Sequence, residues 1–293
     1  MIGSALLIEE AFQNAGSQEG LFQNLIIDVD RVEAVIRSPE ISAVTLTGSE
    51  KAGEAVAAQA GRALKKTVME LGGSNAFIVL EDADMEQAVE TGVQARMQNN
   101  GQSCIAAKRF LVHEAVADEY IRRFKEQLEG FMAGDPMDEQ TTIGPLARVD
   151  LAEKLEQQVD LSLRKGARLI LGGERKGAFY SPTVLTNVHP GMPAFDEELF
   201  GPVATFTIVK SLEQAIELNN RSTFGLGATI MTRNTTRAQE AAKSIQDGAV
   251  FINTLVKSDP RLPFGGTKHS GYGRELGAHG IREFVNVKTM YMA

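Results

Sequence analysis

Two side chains in the first half of the sequence, Glu70 and Cys104, have the chemistry of a general base and a nucleophile. Cys104 is the only cysteine among 293 residues. A free thiol has a pKa near ~8.5, so little of it is thiolate at neutral pH unless its surroundings favour the ionised form. Gly101 permits a tight turn that can direct backbone N–H groups toward an oxygen bound beside the sulfur. Taken alone, a single cysteine is more often a small buried apolar residue.

Five short motifs are distributed over nearly the whole chain around these two residues. They are TGS at 47–49, ELGG at 70–73, GQSC at 101–104, ELFGP at 198–202, and PFGG at 263–266 with SGYGRE at 270–275. Together they resemble the aldehyde dehydrogenase superfamily, and the sequence is identified as a member of it. One such motif alone would be weak evidence, whereas five in the order of the family are specific.

The resemblance implies oxidation of an aldehyde to a carboxylic acid with NAD or NADP. Cys104 would attack the aldehyde, hydride would leave the thiohemiacetal for the nicotinamide, and Glu70 would activate the water that hydrolyses the thioester. The resemblance also implies that Glu198 and Phe200 contact the nicotinamide ribose and ring. By composition alone, these last two residues are a surface carboxylate and a core aromatic residue.

Gly48 and Ser49 lie between a β-branched strand and a helix. Backbone N–H groups at such a helix start attract a phosphate. Ser49 can equally be an ordinary N-cap residue that satisfies the helix itself. On the strength of the resemblance we assign Gly48, Ser49 and Leu71 to cofactor binding.

The segment at 257–266 looks most like that of succinate-semialdehyde dehydrogenases, a subfamily in which a serine at the place of Ser258 contacts the substrate carboxylate. Many members place an arginine six residues before the nucleophile, where this chain has Gln98. Lys257 or Arg261 could supply a cation for the carboxylate instead. Both are equally well explained as solvated loop charges.

Composition excludes several other classes of function. With 38 acidic and 30 basic residues the formal net charge is −8, so nucleic-acid binding has no electrostatic support. The four histidines show no metal-ligand spacing and there is no second cysteine, so we predict no metal. No window approaches the ~20 apolar residues of a membrane span, and a lone cysteine suits a reducing cytoplasm.

The pattern of helices and strands predicts an α/β fold like that of the aldehyde dehydrogenases. We expect residues 1–72 to be the second half of a Rossmann-type dinucleotide-binding domain, in which 21–27 is a short buried strand. Residues 73–265 would form an α/β catalytic domain. Residues 266–293 would return to the first domain and end in a strand at 284–292, where apolar and polar residues alternate.

The pattern starts in the middle of a dinucleotide-binding sheet, so we interpret the chain as the C-terminal portion of the family fold. The resemblance implies that a ribose-binding lysine and an oxyanion-hole asparagine are missing. An unpaired sheet edge predicts association or poor solubility, and in the family the terminal strand belongs to a sheet shared within dimers or tetramers. The alternative function is that of a non-catalytic structural or subunit-interaction protein.

Overall fold

Helices and strands alternate along most of the chain, as the apolar periodicities predict. The computed structural model describes residues 2–293. Its α-helices are α1 (Ile2–Asn14), α2 (Val32–Arg37), α3 (Glu50–Arg62), α4 (Met85–Met97), α5 (Ala117–Glu129), α6 (Val149–Arg164), α7 (Pro193–Asp196), α8 (Leu212–Asn220), α9 (Thr235–Ala242) and α10 (Gly277–Glu283). Short 3-10 helices lie at Val29–Arg31 and Gln98–Gly101.

The strands of the same range form two larger and two smaller sheets. They are β1 (Ala43–Thr47), β2 (Lys66–Glu70), β3 (Asn75–Val79), β4 (Ala107–His113), β5 (Arg168–Leu171), β6 (Arg175–Lys176), β7 (Phe179–Tyr180), β8 (Thr183–Thr186), β9 (Val203–Val209), β10 (Phe224–Gly225), β11 (Ala228–Met231), β12 (Val250–Ile252), β13 (Thr267–Lys268) and β14 (Gly271–Tyr272).

The largest sheet has seven strands in the order β12-β11-β3-β4-β9-β8-β5. Its neighbouring strands are parallel except for the β5–β8 pair. Every residue of β3 is buried: Ile78 packs into one hydrophobic core, and Phe77 and Val79 pack into another on the opposite face. Parallel strands covered on both faces by helices confirm the predicted α/β fold class.

A second sheet, in the order β1-β2-β14, contains the strand that ends at Glu70. Strands β1 and β2 are parallel, and β14 pairs antiparallel with β2 so that Gly271 lies opposite Glu70. Just before β14, β13 pairs with β10, which precedes β11 of the seven-stranded sheet. The return segment therefore pairs with strands in both halves of the molecule. The domain boundaries after residues 72 and 265 stay predictions.

The predicted buried strand at 21–27 is wrong, and the predicted strand at 284–292 has no partner in the single chain. Residues 21–27 have no regular structure, and Leu21, Leu25 and Ile26 are more than 60% exposed, because no neighbouring strand offers a backbone ladder there. Residues 284–292 likewise follow α10 without forming a strand and are exposed. An alternating pattern specifies which face of a strand is apolar, but a strand still needs an edge to pair with.

Apolar side chains concentrate at the surface near the start of the described range. Helix α1 has no buried residue, although it carries Ile2, Leu6, Leu7, Ile8 and Phe12. Its tertiary contacts are local: Phe12 stacks on Phe22, and Asn24 donates to the Ala5 carbonyl.

Between residues 2 and 293, the structure contains no helix of sufficient length and hydrophobicity to span a bilayer.

Candidate active site

A cavity of about 1030 Å³ lies beside Cys104. Its volume is at the upper end of the range for small-molecule sites, about 300 to 1,000 Å³. Its wall contains Cys104 together with all the residues that the sequence assigns to the cofactor: Gly48, Ser49, Leu71, Glu198 and Phe200. Glu70 and Ser258 are not part of the wall.

The loop that presents Cys104 is wound in the left-handed region. Asn99, Asn100 and Gly101 have φ values of 51°, 57° and 72°. Asparagine tolerates this region better than most residues, and Asn99 Nδ2 donates to the Gln102 carbonyl at 2.9 Å. A Cβ at Gly101 would lie 2.2 Å from the Gly201 carbonyl oxygen, so only glycine fits there.

Side-chain amides fasten this loop to a segment more than forty residues further along the chain. Asn100 Oδ1 accepts the Gly144 N–H at 3.2 Å, and Gln102 Oε1 accepts the Ala147 N–H at 2.9 Å. Each amide replaces the water that a loop backbone group would otherwise bind. The position of the thiol therefore depends on contacts outside its own loop.

The two glycines that follow Glu70 allow the strand end to approach the rest of the site closely. A Cβ at Gly73 would lie 2.5 Å from the Cys104 carbonyl oxygen. A Cβ at Gly72 would lie 2.6 Å from Glu198 Oε2. A side chain at Gly73 would meet backbone, so only glycine fits there, whereas a side chain at Gly72 would displace the Glu198 carboxylate.

Glu198 is held between the strand end and a buried lysine that the sequence interpretation missed. Its Oε1 accepts the Gly73 N–H at 3.0 Å and lies 3.3 Å from Lys108 Nζ. Lys108 is on β4, next to Arg109, and both side chains are buried. Two adjacent basic residues in a buried strand indicate buried ion pairs, and this pair is the sequence feature that pointed to Lys108.

The Cys104 thiol is half-buried. Burial raises the pKa of the thiol above its usual value, the positive charge of Lys108 opposes that increase, and Glu198 and Glu70 add to it. The thiol thus lies between a cation that stabilises its thiolate and carboxyl groups that destabilise the thiolate when they are ionised. Its reactivity depends on which of these charges is present.

Glu70 ends β2 as a buried carboxyl group with 3% exposure, and neither of its oxygens has a hydrogen-bond partner. Burial, with a smaller contribution from the charge of Glu275, raises the pKa of Glu70 to about 8, and Arg274 opposes the increase. The loop at Gly265 packs so close that a Cβ there would lie 2.9 Å from Glu70 Oε1. In this arrangement Glu70 is protonated at neutral pH.

Gly48 and Ser49 form the start of α3, as the sequence predicts. Ser49 is the N-cap of α3, and its hydroxyl accepts the Ala52 N–H at 3.3 Å. Its observed contact is therefore that of an ordinary N-cap residue. Leu71 packs against Gly53 of the same helix, where a Cβ would lie 2.5 Å from Leu71 Cδ1. The free backbone N–H groups at the start of this thirteen-residue helix therefore lie at the cavity wall.

The residues considered for a substrate carboxylate do not meet at the cavity. Ser258 and Lys257 are exposed, and Arg261 forms a two-bond ion pair with Asp259 at 2.9 and 2.6 Å. That pair holds the pKa of Asp259 below its usual value. Gln98 Nε2 donates to the Ala95 carbonyl at 3.3 Å.

Comparison with known proteins identifies the relationship that these features suggest. The family model described as "Aldehyde dehydrogenase family" matches residues 2–290. The chain belongs to the aldehyde dehydrogenase family. The fold around this cavity is a partial aldehyde dehydrogenase fold.

Individual relatives within the family are similar over 99% of this chain. The succinate semialdehyde dehydrogenase [NAD(P)+] Sad of Escherichia coli is 50% identical over 294 residues. The probable succinate-semialdehyde dehydrogenase [NADP(+)] of Synechocystis is 50% identical over 292 residues. The crystal structure of succinic semialdehyde dehydrogenase from Streptococcus pyogenes in complex with NADP+ is 41% identical, with a TM-score of 0.95. The chain spans 64% of the length of each of these proteins.

Proposed function

We propose that this chain carries the nucleophile and much of the cofactor site of an NAD(P)-dependent aldehyde dehydrogenase. The observation that carries the proposal is the cavity wall, in which the only thiol of the chain adjoins Glu198, Phe200 and the start of α3. Family membership and relatives named for NAD(P)+ or NADP(+) support the same reading.

The residues present fit a dinucleotide in three respects. The cavity is large enough for a nucleotide-sized ligand, the α3 N-terminus supplies N–H groups for a phosphate, and Phe200 offers an aromatic face. Glu198, now bonded to the Gly73 N–H, would hold a ribose hydroxyl. When bound, NAD or NADP supplies the hydride acceptor for the oxidation.

The protein's own part of the reaction begins at Cys104. Its thiolate adds to the aldehyde carbon, so a C–S bond forms and the carbonyl electrons move to oxygen. After oxidation, the resulting thioester is cleaved by water, and Glu70 is the residue we assign to remove the proton from that water. Because Glu70 is protonated below about pH 8 in the observed arrangement, the hydrolytic step should accelerate as pH rises through that value.

Succinate semialdehyde is the substrate we propose, on the basis of the names of the relatives. Ser258 remains our candidate for its carboxylate. The comparison is turnover of succinate semialdehyde against a neutral aldehyde of similar length, by protein with a complete cofactor domain. Equal kcat/KM for the two aldehydes would reject a carboxylate-binding pocket.

The decisive test is a burst of reduced cofactor on mixing the chain with aldehyde and NAD or NADP. We expect up to one equivalent per Cys104, and none from the Cys104→Ser variant. The second candidate is a non-catalytic subunit-interaction protein, which the exposed apolar side chains of α1 favour. No burst from protein with a titratable, reduced Cys104 would reject the enzyme for this chain and leave the second candidate.

We further propose a cytoplasmic dimer or tetramer, in which residues 284–292 gain the strand partner that they lack in the single chain. Deleting those residues from a protein that also contains the N-terminal part of the family fold should reduce its mass in light scattering. Alkylation of Cys104 should continue at the original rate. An unchanged mass would place the interface elsewhere.

A further inference from the structure

The ammonium group of Lys108 is buried directly beneath the nucleophile loop. The side chain is 1% exposed, and its Nζ donates to the carbonyl oxygens of Ser103, Cys104 and Ala106 at 2.8, 3.1 and 3.3 Å. Its fourth neighbour is Glu198 Oε1 at 3.3 Å. Moving an ammonium ion out of water costs several kcal/mol unless partners replace the water, and here the loop carbonyls and one carboxylate do so.

A second buried cation contacts the same loop. Arg96 is fully buried and its Nη2 donates to the Gly101 carbonyl at 2.6 Å, while its Nε and Nη1 have no partner. Arg96 and Lys108 together bind four of the six carbonyl groups from 101 to 106. Glu198 is the one carboxylate paired with them, so this cluster carries a net positive charge at low dielectric.

We propose that Lys108 is a positioning residue that fixes the nucleophile loop, supplies the positive charge favouring the Cys104 thiolate, and thereby couples Glu198 to the reactivity of that thiol. The role rests on the proposed function, because it matters for catalysis only if Cys104 is the nucleophile. The coupling itself is a property of the thiol and can be measured without an aldehyde or a cofactor.

The charges around the pair agree with this geometry. Around Cys104 these are Lys108, Glu198 and Glu70, and around Lys108 they are Glu198, Arg96 and Cys104. Burial lowers the pKa of Lys108 to about 8, and Glu198 opposes that decrease. Acting directly on the thiol, Lys108 favours the thiolate and Glu198 disfavours it, and Glu198 also helps to keep Lys108 protonated.

The experiment measures the rate of Cys104 alkylation by iodoacetamide between pH 6 and 10, followed by intact mass. Because Cys104 is the only thiol, every adduct reports on it. In Lys108→Met we expect the apparent pKa of the thiol to rise by about one unit and the rate at pH 7.5 to fall by about tenfold. In Glu198→Gln we expect a lower pKa and a faster reaction at that pH, and in Lys108→Arg a profile near that of the wild type.

Lys243→Met is the matched control, because Lys243 also pairs with a glutamate, Glu240, but is exposed and remote from the thiol in the fold. Its profile should coincide with that of the wild type. A folded Lys108→Met protein whose profile stays within twofold of the wild type would overturn the proposal. Should Lys108→Met fail to fold, the Glu198→Gln profile decides: a profile within twofold of the wild type rejects the coupling. Loss of the cofactor burst with these shifts intact would reject the enzyme and keep the coupling.

Discussion

The buried Glu70 carboxyl should make the stability of this protein fall as pH rises. It has 3% exposure, no hydrogen-bond partner for either oxygen, and a pKa raised from 4.5 to about 8. Below pH 4.5 the group is neutral in both the folded and the unfolded chain. As pH rises the unfolded chain ionises first, so the folded state loses stability until Glu70 itself ionises above about pH 8.

The size of this effect follows from the pKa difference. A shift of about 3.5 units, at about 1.4 kcal/mol per unit, gives an upper limit of about 5 kcal/mol at high pH. Between pH 6 and pH 9 the wild type should lose roughly half of that limit, about 2.5 kcal/mol, from its free energy of unfolding. Glu70→Gln keeps the shape of the side chain and removes the ionisation, so its free energy of unfolding should gain about 2.5 kcal/mol on the wild type across that range.

Urea unfolding at pH 6 and pH 9 measures this difference. Other titrating groups, including Lys108, contribute equally to both proteins and cancel in the comparison. Glu217→Gln, an exposed position on α8, serves as the control and should change nothing. If the wild type and Glu70→Gln lose stability in parallel between pH 6 and 9, then Glu70 is solvated or paired and the reasoning from its burial is wrong.

Three further outcomes are expected. Gly101→Ala should lower the free energy of unfolding in urea by more than about 2 kcal/mol, because the new Cβ would meet a backbone carbonyl at a residue with positive φ. The control Gly61→Ala places its Cβ in open space on α3 and should be neutral or stabilising. Deleting residues 2–27 should leave the urea midpoint almost unchanged and reduce self-association in size-exclusion chromatography, because that segment buries little and exposes apolar side chains. Hydrogen peroxide should add oxygen atoms to Cys104 by intact mass, and an internal disulfide would contradict the sequence.

Sequence predicts a helix or strand well when the residues that stabilise it belong to that element's own pattern. The apolar run at 203–209 predicts a strand, and β9 spans those residues. Helix α4 begins after the Asp84 N-cap, because that side chain accepts the Gln87 N–H. The wrong prediction at 21–27 has a different origin, because its apolar residues need a partner strand and the pattern does not show whether this chain supplies one. The strand at 284–292, which was expected to need a partner from another copy of the chain, stays a prediction.

The residues of the site also differ in how well the sequence could predict their positions. The motif residues Cys104, Glu198 and Phe200 converge on one cavity, as their family positions imply. Lys108 could not be placed from sequence, because its partner Glu198 lies ninety residues further along the chain and its other contacts are backbone carbonyls. The sequence likewise could not show that Glu70 lies outside the cavity wall and packs against the loop at Gly265.

The pairing of β14 with β2 also constrains the order of events during synthesis. It joins Gly271 to Glu70 across about two hundred residues, a loop closure far longer than any other pairing that involves β2. On the ribosome, the edge of β2 therefore remains open until residue 272 has emerged, after every strand of the seven-stranded sheet has been made. Throughout that interval the nascent chain exposes an unpaired strand edge beside Glu70. Such an edge favours aggregation, which chaperones prevent.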